Sequence, residues 1–177
     1  MLVVCSDTHG RNGPGLDGRT AEAVADAELV IHAGDFTTAA VLDAFRERAD
    51  VRAVHGNRDD AAVRDRLPSA LTVEYAGVRF AVTHTRRGGP TALSLFGRER
   101  DADCVVFGHS HAPTVGEADG LTLLNPGSHA DPRGNRAAHA ELEPTADGLR
   151  GRLVAVSGEV FDRFEIGGQR AGRNDGN

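Results

Sequence analysis

Cys104-Val105-Val106-Phe107-Gly108-His109-Ser110-His111 is the stretch from which the rest of the chain can be read. The apolar run from Cys104 to Phe107 reads as a buried strand. A glycine and two histidines spaced i, i+2 follow it at once. In extended backbone that spacing points both imidazoles to one side, and Gly108 lets other groups come close. Imidazole is the commonest metal ligand, so two rings at a strand end suggest a metal site. Taken alone, a pair of surface histidines explains the motif equally well, and the metal reading depends on what else reaches this edge.

The same device recurs along the chain. Leu2 to Cys5 is an apolar strand followed by Asp7 and His9, again i, i+2; alone, an Asx-turn closing the strand would account for them. Glu28 to His32 reads as a second strand, ended by Ala33-Gly34-Asp35. His32 lies inside it, either as a satisfied core histidine or as an orienter of a ligand. Asp50 to His55 is a third strand, ended by Gly56-Asn57-Arg58-Asp59. Between them lie a Gly-rich surface loop over 11–18, a helix from Thr20 to Ala27 with Thr20 as cap, and an amphipathic helix from Thr38 to Ala49 with Val41, Leu42 and Phe45 on one stripe. Strand, helix, strand, helix, strand with short connections predicts an α/β fold with right-handed crossovers and a mainly parallel sheet. In such sheets ligands bind beyond the carboxyl ends of the strands, where Asp7, His9, Asp35 and Asn57 would all arrive.

The second half alternates differently. Leu71 to Tyr75 and Val78 to Thr83 form a hairpin on Ala76-Gly77, and the second strand ends at His84. A helix over Thr91 to Arg100 precedes the opening stretch. Pro113 to Glu117 and Leu121 to Leu124 form another hairpin, and Asn125-Pro126-Gly127-Ser128 is a turn. Arg136 to Glu143, Leu149 to Val156 and Val160 to Ile166 read as antiparallel strands. Residues 1–165 are thus one domain, and the Gly- and Arg-rich residues 166–177 a disordered tail.

Composition narrows the function classes. At 177 residues and 40% hydrophobic content the chain can bury one ordinary core. A net charge of −6 argues against nucleic acid as a stable partner. No run of 18 apolar residues exists to span a membrane. The N-terminus enters a strand without a basic segment, which argues against a secretion signal. Cys5 and Cys104 both fall in buried strands, as expected of core thiols in a reducing cytoplasm.

Asp7, His9, Asp35, Asn57, His84, His109 and His111 each follow an apolar strand. Oxygen and imidazole ligands without thiolate suit Mn²⁺, Fe²⁺, Zn²⁺ or Ni²⁺. Such a set is too large for one tetrahedral site and suits two ions about 3.5–4 Å apart sharing one carboxylate.

The ordered motifs D-x-H (7–9), G-D (34–35), G-N-x-D (56–59), His84 and G-H-x-H (108–111) resemble the signature of the calcineurin-like metallophosphoesterases. With the wording SDTHG, HAGD, GNRD, GHSH and NPGS, the chain looks most like the small YfcE-type phosphodiesterases over about residues 1–165. The resemblance implies a four-layer α-β-β-α sandwich with a dinuclear centre at one edge. Asp7, His9 and His111 would hold one divalent ion, most simply Mn²⁺; Asn57, His84 and His109 would hold the other, and Asp35 would bridge. A metal-bridging hydroxide would then attack the phosphorus of a small phosphoester substrate, with Asn57, Arg58 and His84 as its catalytic residues. Small relatives of this type often form homodimers.

Two departures bear on chemistry. Many of the phosphatases carry histidine directly after the asparagine, where this chain has Arg58. Arginine can grip phosphate in bidentate fashion but cannot act as a general acid; an exposed arginine paired with Asp59 or Asp60 is the plainer explanation. The family usually reads His-Gly-His where this chain reads His84-Thr85-Arg86-Arg87. Those arginines either recruit an anionic substrate or are solvated charges. Beside the phosphodiesterase stand two other readings: a phosphomonoesterase with the same centre, and a non-enzymatic scaffold like the retromer subunit that shares the fold.

Overall fold

A computed structural model describes residues 1–10 and 13–167. The strands run β1 (Leu2–Cys5), β2 (Leu29–His32), β3 (Val51–Ala53), β4 (Ala70–Tyr75), β5 (Val78–Thr83), β6 (Cys104–Val106), β7 (Thr114–Ala118), β8 (Leu121–Asn125), β9 (Ala138–Pro144), β10 (Gly148–Ala155) and β11 (Val160–Gly167). The helices are α1 (Gly18–Asp26), α2 (Ala39–Arg46), α3 (Ala61–Arg64) and α4 (Gly89–Arg98).

Two sheets form, ordered β11-β10-β9-β1-β2-β3 and β4-β5-β6-β8-β7. Period-two alternation assigns each strand's two faces to different layers. Leu2 and Val4 of β1 meet Phe80, Val82, Cys104 and Val106 in a core between the sheets. Val3 and Cys5 point the other way, into a layer with Val24, Val41, Leu42 and Phe45 of α1 and α2. On the second sheet Ala81 and Val105 face Leu93 and Phe96 of α4. The result is the four-layer α-β-β-α sandwich. Parallel pairing is confined to part of each sheet: β1, β2 and β3 on one side of the first, and β5, β6 and β8 in the middle of the second. The expectation of a mainly parallel sheet holds only there, because hairpins and the C-terminal meander supply antiparallel edges.

Several local expectations change. Asp17, not Thr20, caps α1, its carboxylate accepting from the Gly18 amide; Thr20 is buried inside the helix. The short α3, capped by Asp60 accepting from Val63 N, was not expected, since four residues are too few to display periodicity. β11 runs one residue beyond the strand read from sequence, to Gly167, so residues 166 and 167 belong to the sheet and not to a tail. Residues 168–177 of that tail, and Arg11 and Asn12 of the loop, lie outside the described residues. Cys5 and Cys104 are free and buried, and burial pushes the Cys5 thiol up to about 12. Among the described residues no helix is long and apolar enough to cross a membrane.

A polar network locks α1 to β9 and β10. Glu141 is buried, 1% exposed. It accepts from Arg19 Nε at 2.8 Å, Arg152 Nη2 at 2.7 Å and His139 Nε2 at 3.0 Å, and His139 Nδ1 lies 2.9 Å from Thr20 Oγ1. Burial alone would raise the Glu141 carboxyl; the bonds from His139, Arg19 and Arg152 outweigh it and hold the group well below the usual carboxylate range. A carboxyl so depressed stabilises the fold in full above its ordinary value of 4.5 and loses that contribution as pH falls. Glu141→Gln should therefore cost about 2 kcal/mol at neutral pH. In urea unfolding curves the gap to the parent protein should close as the pH is taken below that value; a gap independent of pH would contradict the network's role.

Candidate metal centre

Every parallel strand of the two sheets runs towards one edge, and the segments beyond them interlock. Asp7 N donates to Gly34 O and His9 N to Asp35 O, each at 2.9 Å, tying the turn after β1 to the turn after β2. Gly108 N donates to His84 O at 2.9 Å, tying β6 to β5. Further bonds join the sheets, among them His109 N to Asp7 Oδ2 at 2.9 Å and His84 Nδ1 to Ala33 O at 2.7 Å.

The local geometry is not the extended one read from sequence. Asp7 (φ 53°), His9 (47°), Asp35 (62°), His109 (72°) and His111 (58°) all adopt left-handed backbone. Each such residue costs roughly 1–2 kcal/mol, and the surrounding bonds hold it there. The i, i+2 rule therefore does not apply. His109 turns towards Asn57 and His84, with its ring edge-on to His84 at 5.4 Å. His111 stacks on His9 at 4.9 Å.

The seven side chains expected at the centre do converge. His111 Nε2 lies 3.4 Å from Asp7 Oδ1, and His9 Nε2 3.9 Å from the same oxygen. Asp35 Oδ2 is 3.3 Å from both His9 Nε2 and His84 Nε2. Asn57 Oδ1 is 3.1 Å from His84 Nε2 and 2.9 Å from His109 Nδ1. Asp7, His9 and His111 form one group able to hold an ion, and Asp7, Asp35 and His84 another. Asp7, Asp35, His84 and His111 are buried.

The donor set fits divalent cations on electrostatic grounds. A carbonyl oxygen can only accept, so His84 donates its Nδ1–H to Ala33 O and His111 its Nδ1–H to Asp131 O. Their neutral rings then aim Nε2 lone pairs at carboxylate oxygens, an arrangement that repels unless a cation lies between. Burial works against a charged His84, but the hydrogen bond and charge of Asp35 win and raise its pKa. Burial would likewise raise Asp35, yet the bonds from His84 and His9 hold it well below the usual range.

His32 resolves as a positioning residue in the core. Its Nδ1 accepts from Gly34 N at 3.1 Å and its Nε2 meets Thr8 Oγ1 at 2.9 Å, each beside a candidate ligand. Burial pushes its pKa well down, leaving it neutral. Arg58 gives its backbone N–H to Asp35 Oδ1 at 2.7 Å while its side chain is exposed. No ion pair with Asp59 or Asp60 is recorded for it among the described residues: Asp60 caps α3, and Asp59 takes the amides of Asp35, Thr37 and Gly56. Arg86 is not freely solvated, since its guanidinium lies 4.3 Å from the Phe96 ring centroid.

Sequence reasoning missed several residues that shape the site. Ser128 Oγ donates to Asp7 O and accepts from Asp131 N, and Asn125 Nδ2 donates to Gly108 O. Both lie in the NPGS motif, as Asp59 lies in GNRD, so a signal existed. Arg133 had none: it lies far along the chain, yet Nη2 sits 3.5 Å from His9 Nε2.

Residues 1–145 match the sequence profile of the calcineurin-like phosphoesterase superfamily domain. A probable metallophosphoesterase of Methanocaldococcus jannaschii is 33% identical over 161 residues, 88% of this chain and 81% of its own. Among solved structures, the phosphoesterase Yfce from E. coli superposes with a TM-score of 0.69 at 24% identity, covering 93% of this chain and 98% of that one. Vacuolar protein sorting 29 from Cryptosporidium parvum superposes at 0.78 with 18% identity, covering 94% and 97%. The two structural likenesses speak for the fold.

A methyl group at Gly108 would lie 2.0 Å from Ser6 Oγ and 2.6 Å from Asp7 Oδ2. Gly108→Ala must therefore push Asp7 or His109 out of place. Metal analysis after dialysis against Mn²⁺ should find the variant depleted by ~10-fold or more in affinity; binding equal to the parent protein would mean that Asp7 is not held as described.

Proposed function

The chain belongs to the calcineurin-like phosphoesterase superfamily, and from that premise we propose that it is a metal-dependent phosphodiesterase working at a dinuclear centre. The observation that carries the proposal is the convergence of two buried carboxylates, one amide oxygen and four imidazoles whose accepting atoms face one another. Asp7, His9 and His111 would hold one ion; Asn57, His84 and His109 would hold the other. The 3.3 Å approach of Asp35 Oδ2 to both His9 and His84 supports Asp35 as the shared ligand. The absence of thiolate from the set makes Mn²⁺ the first choice, with Ni²⁺, Fe²⁺ and Zn²⁺ as alternatives. When bound, two such cations would activate water near neutral pH and neutralise charge on phosphoryl oxygens.

The remaining steps fall to the chain's own residues. Asn57 fills a ligand position without adding charge. Arg58, anchored through its amide to Asp35 and with no partner for its guanidinium among the described residues, is assigned to the phosphoryl oxygens. It cannot protonate a leaving group, which favours diesters and substrates with good leaving groups over simple monoesters. The likeness to vacuolar protein sorting 29 supports a second reading, a protein-interaction scaffold of the same fold.

Loaded with Mn²⁺, the protein should hydrolyse bis(p-nitrophenyl) phosphate faster than p-nitrophenyl phosphate. The reverse order would favour a phosphomonoesterase, and two bound metals with no hydrolysis of either ester would favour the scaffold.

Asp35→Asn should cost more than ~100-fold in turnover and weaken both ions. Two full-occupancy metals in that variant would contradict the bridging assignment. Arg58→Ala should lower turnover by about tenfold, the worth of one charge-assisted hydrogen bond, with both metals retained; unchanged kinetics would remove Arg58 from the mechanism.

A further inference from the structure

A cleft of about 360 Å³ opens directly beside Asn57 and His84. Arg64 and Arg86 are part of its wall, together with the hydroxyl-bearing residues Ser69 and Thr85, and no Asp or Glu lines it among the described residues. This is a donor-rich, cationic recess in a chain whose net charge is −6.

Both guanidiniums are held in place without being neutralised. Arg64, at the end of α3, donates Nη2 to Asn57 O at 2.8 Å. Arg86 packs its plane on Phe96, 4.3 Å to the centroid, which leaves its N–H edge for a ligand. No ion pair is recorded for either among the described residues. The fixed planar fork of arginine matches phosphate oxygens. Two such forks and two hydroxyls offer more donors than the two oxygens of a carboxylate can take, and suit the three terminal oxygens of a phosphate.

We propose that this cleft is a subsite for a second phosphate, carried on one arm of the ester whose phosphorus is presented to the metal centre. The preferred substrate is then a phosphodiester bearing a further phosphate, such as a phosphorylated nucleotide ester. This inference rests on the phosphodiesterase reading of the same centre, but its test is a binding measurement that needs no turnover.

Titration calorimetry of the Mn²⁺-loaded protein should find thymidine 3′,5′-bisphosphate bound at least about tenfold more tightly than thymidine 5′-phosphate, the worth of one charge-assisted contact. Arg86→Ala and, separately, Arg64→Ala should shrink that preference to within about twofold. Arg100→Ala removes the other guanidinium packed on Phe96, lies outside the cleft, and should keep the preference. Equal affinity for the two nucleotides in the parent protein, or a preference that survives both cleft variants, would overturn the subsite.

The p-nitrophenyl esters of the same nucleotides separate this inference from the reading beneath it. A binding preference with neither ester hydrolysed would sink the phosphodiesterase and leave the subsite standing. Hydrolysis of both with equal KM and equal affinity would sink the subsite alone.

Discussion

A carboxylate sealed from water must have its charge answered, and the sandwich is arranged around two that are. Asp7 is fully buried and Asp35 is 2% exposed. Asp7 receives the Ser6 hydroxyl and the His109 amide; Asp35 receives the Arg58 amide. These neutral donors orient the carboxylates but bring no full charge. The bond from His109 to Asp7 also joins the second sheet to the first at this edge. Moving the carboxylate would therefore loosen the contact between the layers as well as the site.

A further buried carboxylate, Glu141, shows what this protein does when a charge serves the fold. Glu141 is met by the guanidiniums of Arg19 and Arg152 and by His139. Its surroundings close on themselves. At Asp7 and Asp35 the partners are imidazoles whose far nitrogens are committed to carbonyl oxygens, for His84 and His111 at least, and whose near nitrogens are acceptors when neutral. Among the described residues no guanidinium is bonded to either carboxylate; that of Arg133 lies 3.5 Å from His9 Nε2. A network finished by arginine is complete, whereas one finished by lone pairs requires a cation from outside. That contrast within one molecule separates a structural ion cluster from a metal site more firmly than the presence of histidines does.

Much of this was legible because strand ends are a long-range signal written locally. An apolar run followed by Asp, His or Asn says which edge a side chain reaches, and in this sandwich the parallel strands of both sheets end at the same edge. Aim was not legible. The left-handed turns at Asp7, His9, Asp35, His109 and His111 break the alternation that spacing arguments assume, so the two histidines of Gly108-His109-Ser110-His111 part company instead of pointing together. The Asp17 cap and α3 were hidden because each involves too few residues to create a period. Asp59, Ser128 and Asn125 sat inside quoted motifs without a role, since their work is to bind backbone amides and carbonyls of loops distant in sequence. Arg64 and Arg133 carried no signal at all: only folding brings α3 and the segment after β8 to the mouth of the site.

The arginines at that mouth decide more about chemistry than the ligands do. In the proposed reading the ligands hold the ions, whereas Arg58, Arg64, Arg86 and Arg133 would meet the substrate around them. A guanidinium stays protonated through any ordinary pH, so it can grip phosphate oxygens throughout a reaction but can never hand over a proton within it. In the proposed mechanism, Arg58 directly after Asn57 would strengthen phosphate binding while supplying no proton donor. The consequence is selective, because stabilising phosphoryl oxygens helps every ester while lack of an acid penalises only those with poor leaving groups. A site built in this way gains specificity by holding the rest of the substrate, and the cleft walled by Arg64 and Arg86 beside Asn57 and His84 is where this fold has room to hold it.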